Sequence, residues 1–137
     1  MTLFVDTSGW YAGADSGDSS HLRAAAVLSS GERLLTSDHV LVETWWLLRS
    51  RLGRAVAERF WAGLVPAGVD LEMITAADME LARSIGDVFP DQDFSIVDRT
   101  SFVVMQRLRL DRVVSFDDDF AIYRYGSSRN KAFTVLR

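Results

Sequence analysis

Short apolar segments alternate with longer segments of helical periodicity along this chain. Residues 3–5 form a continuous apolar run, a pattern typical of a strand that is covered on both faces. Residues 36–38 are a Thr-Ser-Asp cluster of the kind that starts a helix, and Gly53 is a stop signal. Such signals predict strands at 3–5, 34–35, 69–74, 113–114 and 133–136, and helices that begin near residues 10, 21, 38, 54, 75 and 95.

The order of these elements predicts an α/β fold. Strands that alternate with helices form a mostly parallel sheet with right-handed crossover connections. The chain contains no internal repeat, low-complexity segment or linker, and its 137 residues are enough to bury one substantial core. We therefore predict a single domain over residues 1–137.

Two of the predicted strands end on a carboxylate. Asp6 follows the apolar residues 3–5, and Asp117 follows residues 113–116 and begins a run of three aspartates. Ligands of open α/β sheets collect outside the carboxyl ends of the strands, so both acids are candidate site residues. Other interpretations stay open, because Asp6 can cap the next helix and at least two acids of the triplet can form a solvated turn.

Two further acids lie on predicted helices. Glu43 lies three residues after Val40 and four before Leu47, so it shares their apolar face. A charged carboxylate on such a face is costly unless it is paired or bound to metal, and the alternative is a buried ion pair with an arginine. Asp98 borders the apolar face of its helix, but it also follows Ser95 by three residues, the spacing of a capping box.

The ligand types in this chain restrict the chemistry of such a site. Four carboxylates brought together repel one another and must hold protons or a cation. The chain has no cysteine, which excludes disulfides, zinc–thiolate sites and thiol nucleophiles, and its two histidines are isolated. A ligand set made only of oxygen atoms favours Mg²⁺ or Mn²⁺ over Zn²⁺.

Composition and charge exclude several other classes of protein. A hydrophobic fraction of 48% excludes a disordered chain, and a formal net charge of −4 excludes a cationic nucleic-acid coat. All basic residues except Lys131 are arginines, which suit bidentate phosphate contacts, although genome composition gives the same bias. We expect no membrane segment and a cytoplasmic location, because no apolar stretch reaches about 20 residues and the first residues lack a basic region.

Two adjacent tryptophans on one predicted helix are a further feature. Trp45 and Trp46 cannot point the same way on a helix, so one is expected in the core and the other at an interface. Tryptophan is enriched at binding hot spots. The alternative is a structural role without a binding function, in which a large indole is half-buried against its own protein.

Four segments in order resemble the motifs of PIN-domain ribonucleases, and the chain length and the Asp98 helix resemble most the VapC toxins of bacterial toxin–antitoxin pairs. The segments are Phe4–Ser8, Val42–Glu43, Phe94–Met105 and Val114–Phe120. The resemblance implies a three-layer α/β/α sandwich, Mg²⁺- or Mn²⁺-dependent RNA cleavage to 5′-phosphate and 3′-hydroxyl products, a homodimer, and a VapB-like antitoxin that blocks the acidic cleft.

The same resemblance assigns roles to individual residues. The family's acidic quartet is matched by Asp6, Glu43, Asp98 and Asp117. The fourth acid sits loosely in its motif, so Asp119 is a second candidate, and the expected metal ligands are Asp6, Asp98, Asp117 and Asp119. Thr7 and Ser8 match a small hydroxyl position near the metal, and Arg99, directly after Asp98, is a candidate RNA contact. The implied mechanism is metal-assisted hydrolysis, in which a carboxylate accepts a proton from water.

Two other classes of function remain open. Aspartate-based phosphotransfer domains also place aspartates at strand ends, but haloacid-dehalogenase sites need a second aspartate where this chain has Ser8. Receiver domains need a lysine at a strand end, and Lys131 lies in a polar, loop-like context. The other alternative is a PIN-like module that binds RNA or a partner without cutting, although an idle carboxylate cluster only costs stability.

Overall fold

The structure, a computed structural model, describes all residues from Met1 to Arg137. It contains five strands and seven helices. The strands are β1 (Thr2–Val5), β2 (Arg33–Ser37), β3 (Asp70–Glu72), β4 (Arg112–Val114) and β5 (Thr134–Leu136); the helices are α1 (Thr7–Ala14), α2 (His21–Leu28), α3 (Asp38–Leu52), α4 (Arg54–Leu64), α5 (Ala76–Val88), α6 (Ile96–Arg107) and α7 (Asp119–Ile122). None of the helices combines the length and the apolar composition needed to cross a bilayer.

The five strands form one sheet in the order β3-β2-β1-β4-β5, and every pair is parallel. Strand β1 is central, and Phe4 is in register with Leu35 of β2 and with Val113 of β4. Helices flank this sheet, which confirms the predicted α/β/α sandwich. The chain fills one half of the sheet from β1 to β3 and the other half with β4 and β5, so the strand order reverses beside β1. Crevices at such reversals are where open α/β sheets bind ligands.

An aromatic cluster holds α6 and α7 together below this crevice. Phe102 is fully buried, stacks on Tyr123 at 4.2 Å between ring centroids, and meets Phe120 edge to face at 5.0 Å. Such pairs stabilise a core beyond the area they bury. Phe102 lies one helical turn after Asp98, and Phe120 directly follows Asp119, so the packing of these rings brings the two acids to the same place.

Several elements differ in extent from the sequence prediction: α1 begins at Thr7 and not near residue 10, β2 is longer than residues 34–35, and β3 is shorter than residues 69–74. Two helices show larger differences. Helix α5 continues through Gly86 to Val88, whereas the glycine predicts an end near residue 85. The missing side chain at Gly86 makes room for the Arg99 guanidinium, which covers this position from α6. Helix α7 follows β4 where a loop is expected, because four residues are too few for a periodic pattern to be visible.

A buried ion pair joins α5 to the end of α6, and its loss is expected to be costly. The Arg107 guanidinium donates to both Asp78 carboxylate oxygens, at 3.0 and 2.9 Å, and to Glu72 at 2.9 Å. Burial raises the pKa of Asp78, but the hydrogen bonds and charge of Arg107 outweigh it and hold this pKa below its usual value. The side chain of Asp78 is only 2% exposed, so removal of Arg107 leaves a buried charge without a partner.

We expect Arg107→Met to lower the free energy of unfolding by about 3 kcal/mol, the low end for a broken buried pair, because Arg107 is itself partly exposed. Urea unfolding measures this change. Arg54→Met is the matched control, since Arg54 pairs with Glu58 on the surface of α4 and such pairs contribute less than about 1 kcal/mol. If both variants lost the same free energy of unfolding, the Arg107–Asp78 pair would contribute no more to stability than a surface ion pair.

Candidate active site

Asp6 lies at the carboxyl end of the central strand and is only 4% exposed. Its Oδ1 atom accepts hydrogen bonds from the Ser8 hydroxyl at 2.7 Å and from the Gly9 amide at 3.0 Å. Its Oδ2 atom accepts one from the Ser115 hydroxyl at 2.8 Å. Asp6 therefore caps α1, as one interpretation of the sequence predicts. No basic side chain forms an ion pair with it, so the cap does not account for a buried carboxylate.

The surroundings of Asp6 disfavour its charge. Burial raises its pKa to about 7, although the hydrogen bonds from Gly9, Ser8 and Ser115 act in the opposite direction. The nearby charge of Asp117 adds a smaller increase. A carboxyl group with this pKa readily exchanges its proton for a cation near neutral pH.

Ser115 is a site residue that the sequence analysis missed. Its hydroxyl donates to Asp6 and accepts the Asp117 amide at 3.2 Å. The Ser8 hydroxyl likewise donates to Asp6 and accepts the Phe116 amide at 2.8 Å. These two serines tie the end of β4 to the end of β1. The sequence did contain a hint of this role for Ser115. Ser115 stands two residues before Asp117, just as Ser8 stands two residues after Asp6.

Asp98 forms the capping box that the sequence predicts, and it also faces another acid. The Asp98 amide donates to the Ser95 hydroxyl, and the Ser95 amide donates to Asp98 Oδ2, both at 3.0 Å. The Asp98 carboxyl group also lies close enough to that of Asp119 for each to affect the pKa of the other. Burial, followed by the interaction with Asp98, raises the pKa of Asp119 to about 6. Burial raises the pKa of Asp98 as well.

The aspartate triplet divides into two kinds of residue. Asp118 is 81% exposed at its side chain and pairs with Arg137 at 3.2 Å, so it belongs to a solvated turn. Asp117 is exposed as a residue, but protein atoms around its carboxyl group displace part of the water there and, with the charges of Asp119 and Asp118, raise its pKa. Asp117 in turn acts electrostatically on Asp6 and Asp98, and Asp119 acts on Asp98. Both candidates for the fourth acid therefore lie at the site.

Glu43 lies on α3 and is bonded to α1. The Thr7 hydroxyl donates to Glu43 Oε1 at 2.6 Å. The alternative of a buried ion pair with an arginine is wrong, since Glu43 forms no salt bridge. Glu43 and Leu47 do share a face, but both are half-buried and line an open cleft, while the side of α3 toward the core is formed by Val40, Leu41, Thr44 and Leu48.

The cleft has a volume of about 710 Å³, and Thr7, Ser8, Glu43 and Asp117 lie in its wall. No three carboxylates or histidines in the chain are preassembled at the spacing of metal ligands. The donor chemistry still fits a hard divalent cation, because every candidate ligand is a carboxylate oxygen and the raised pKa values show charges that lack compensation. Asp6, Asp98, Asp117 and Asp119 are the residues that could hold it.

Arg99 does not face this cleft. Its guanidinium donates to the carbonyl oxygens of Phe94 at 3.2 Å and of Ala82 at 3.5 Å, and it covers Gly86. These contacts join α6 to α5. Arg99 instead lines a separate pocket with Arg83, Gly86 and Asp93, so its assignment as an RNA contact stays a prediction.

Comparisons with known proteins agree on one family. The family model of the PIN domain matches residues 3–124. The 23S rRNA-specific endonuclease VapC20 of Mycobacterium tuberculosis is 37% identical over 120 residues, which are 87% of this chain and 92% of that protein. Ribonuclease VapC26 of the same organism is 26% identical over 116 residues, 84% of this chain and 86% of that protein.

Two solved structures resemble the fold. The crystal structure of Mycobacterium tuberculosis VapC20, described as a Sarcin-Ricin loop cleaving toxin, has a TM-score of 0.83 and 36% identity, with coverage of 87% of this chain and 92% of that chain. VapBC2 from Rickettsia felis, bound to a promoter DNA fragment, has a TM-score of 0.62 and covers 98% of this chain and 97% of that chain. Its identity is 8%, so this second likeness concerns the fold alone.

Proposed function

Because this chain belongs to the PIN-domain family, and within it to the VapC endoribonucleases, we propose that it hydrolyses RNA phosphodiester bonds at the carboxyl end of β1 as the toxin of a toxin–antitoxin pair. The observation that supports this site is Asp6, a buried carboxylate that has three hydrogen-bond donors and no basic partner. A purely structural cap has no need of a second acid, Asp117, close enough to act on its charge.

A divalent metal ion is part of this proposal, because PIN-domain nucleases generally use one. The oxygen ligands favour Mg²⁺ or Mn²⁺, held by Asp6 and Asp98 together with Asp117 and Asp119. When bound, such an ion lowers the pKa of a coordinated water and stabilises charge on the phosphate.

The side chains of this protein have separate tasks in the proposed reaction. Ser8 and Ser115 orient the two oxygens of Asp6 and keep the Asp117 loop against it. Thr7 holds one oxygen of Glu43, so the other carboxylate oxygen is directed toward the cleft and can accept a proton from the attacking water. The Ser95 capping box fixes the rotamer of Asp98 at the start of α6.

The relatives suggest the substrate and the partners. VapC20 is named for 23S rRNA, so we propose that a ribosomal RNA loop is the substrate of this chain as well. Loops can enter the cleft because their nucleotides are not confined to a helix. We further propose a homodimer in the cytoplasm and a VapB-like antitoxin that covers the acidic cleft.

The receiver alternative has no support, since Lys131 lies in a loop paired with Tyr125.

Purified protein is expected to cut 23S rRNA in Mg²⁺ or Mn²⁺ and to stop when EDTA is added. End mapping of the products identifies the cut site and shows whether it carries a 5′-phosphate. Cleavage that continues in EDTA would contradict the metal assignment. An intact RNA under all metal conditions, with RNA still bound, would favour the alternative of a non-cleaving PIN-like module.

A further inference from the structure

The cleft extends well beyond the acidic residues. One wall is the loop between α1 and α2 with the adjoining part of α1, and the other is the outer face of α3. Tyr11, Trp46 and Phe116 contribute aromatic rings to this cleft, and Ser19, Ser20 and Ser50 contribute hydroxyl groups. Aromatic faces beside hydroxyl groups are a combination that suits nucleotides, which present bases and phosphates together.

Two arginines are held against aromatic rings of this cleft. The Arg51 guanidinium carbon lies 5.1 Å from the centre of the Tyr11 ring. That of Arg23 lies 5.6 Å from the centre of the Phe116 ring, and Arg23 donates to the Ser20 hydroxyl at 3.1 Å. Contacts of this kind fix the direction of a guanidinium and leave its other N–H groups free.

These two arginines have no carboxylate partner, although acids are nearby. Neither forms a salt bridge, and both are exposed. Asp15 accepts the Tyr11 hydroxyl at 2.6 Å and the Gly17 amide at 2.9 Å, and Asp18 accepts the Ser20 amide at 2.8 Å. The local acids are thus used by the loop, and the two cations remain available to an anionic ligand.

Trp46 supplies a planar surface near Glu43. It lies three residues after Glu43 on α3 and therefore on the same side of the helix. Its side chain is 57% exposed, and the half-buried Trp45 supports it edge to face at 5.3 Å between ring centroids. The Arg49 guanidinium carbon also lies 5.7 Å from the centre of the Trp46 ring, so the opposite face of the indole is the one that a base can stack on.

We propose that this cleft binds the RNA segment next to the scissile bond, with Arg23 and Arg51 contacting two phosphates and Trp46 stacking on a base. The inference rests on the proposed function, since it names the substrate contacts of that site. RNA is favoured over a protein partner because Glu43 and Asp117 line the same cleft, so the substrate backbone must pass through it. The guanidinium groups of Arg23 and Arg51 and the exposed indole of Trp46 fit an extended nucleic acid strand.

The test measures RNA binding without cleavage. Fluorescence anisotropy in EDTA, with labelled hairpins of the 23S sarcin–ricin loop and of unrelated sequence, gives the binding constant over a range of salt concentrations. We expect Arg23→Gln and Arg51→Gln each to reduce the slope of log Kobs against log salt by about 0.7, the value for one phosphate contact on a single strand. Arg59→Gln is the matched control, because Arg59 is exposed and unpaired on α4 outside the cleft.

Trp46→Ala should weaken binding roughly 5- to 150-fold with an unchanged salt slope, and Trp46→Phe should restore most of the affinity. Wild-type slopes in the arginine variants, or no binding of RNA by the wild type, would overturn the inference. Variants that bind RNA normally but lose a co-expressed antitoxin would also overturn it and show a protein-docking surface. Binding losses in a protein that never cuts RNA would contradict the proposed function alone, and normal binding in a protein that does cut would contradict the inference alone.

Discussion

Asp6→Asn is expected to lower the rate of RNA cleavage by more than about 100-fold while the fold stays intact. Loss of a group that merely supports a metal ligand typically costs 10- to 100-fold, so loss of a ligand charge should exceed about that range. The fold survives because asparagine caps a helix as well as aspartate, and its side-chain oxygen still accepts from Gly9. Single-turnover cleavage of 23S rRNA measures the rate, and circular dichroism checks the fold.

Asp111→Asn is the control for this experiment. Asp111 is an exposed aspartate before β4, at the opposite end of that strand from Ser115, so the same chemical change there should leave cleavage unaffected. A folded Asp6→Asn variant with wild-type activity would remove Asp6 from the reaction and leave it a helix cap only.

The second large expected effect is a loss of stability of the metal-free protein as the pH rises. Burial raises the pKa of Asp6 to about 7, from the value of 3.8 of an aspartate that is exposed to water. The folded state then binds more protons than the unfolded state between these values. The stabilisation is fully present below about pH 4 and is lost as the pH rises through about 7. The shift of Asp6 alone corresponds to a loss on the order of 4 kcal/mol.

Other acids affect this profile in different pH ranges. The Asp98–Asp119 pair acts in the same direction as Asp6, because burial raises both pKa values. Asp78 acts in the opposite direction, since Arg107 lowers its pKa and its contribution is lost only when the pH falls below the ordinary range of aspartate. The two effects therefore fall in different pH ranges. The decline in the free energy of unfolding between about pH 4 and pH 7 measures the acids whose pKa values are raised.

A metal ion should reverse this decline. The carboxylates bind a cation only when deprotonated, so Mg²⁺ or Mn²⁺ should stabilise the protein more at pH 8 than at pH 5. At a hundredfold excess over Kd the gain is about 2.7 kcal/mol. Urea unfolding at several pH values, in EDTA and with metal, measures both effects, and Asp6→Asn should show a shallower decline. A wild type that is equally stable at pH 5 and pH 8 in EDTA, and indifferent to metal, would contradict a shared carboxylate site.

Local sequence signals determined most of the secondary structure of this protein. Residues 3–5 form the buried central strand, Thr75 and Ser95 cap their helices, and Gly53 ends α3. These features depend on periodicity and on hydrogen bonds between residues three or four positions apart, which are visible in the sequence itself. The alternation of strands and helices likewise determined the parallel sheet, and with it the position of Asp6 and of the end of β4 at one edge.

Only the tertiary structure decided which groups serve the site. The Ser115 hydroxyl reaches Asp6 across 109 residues, and the Thr7 hydroxyl reaches Glu43 across 36, so no local pattern could pair them. The packing of α6 against α5 directed Arg99 away from the cleft, although it directly follows Asp98. Helical periodicity places Glu43 on an apolar face, but it cannot distinguish a face that meets the core from one that lines a cleft. That distinction depends on how closely the neighbouring elements approach, and this is a property of the folded chain.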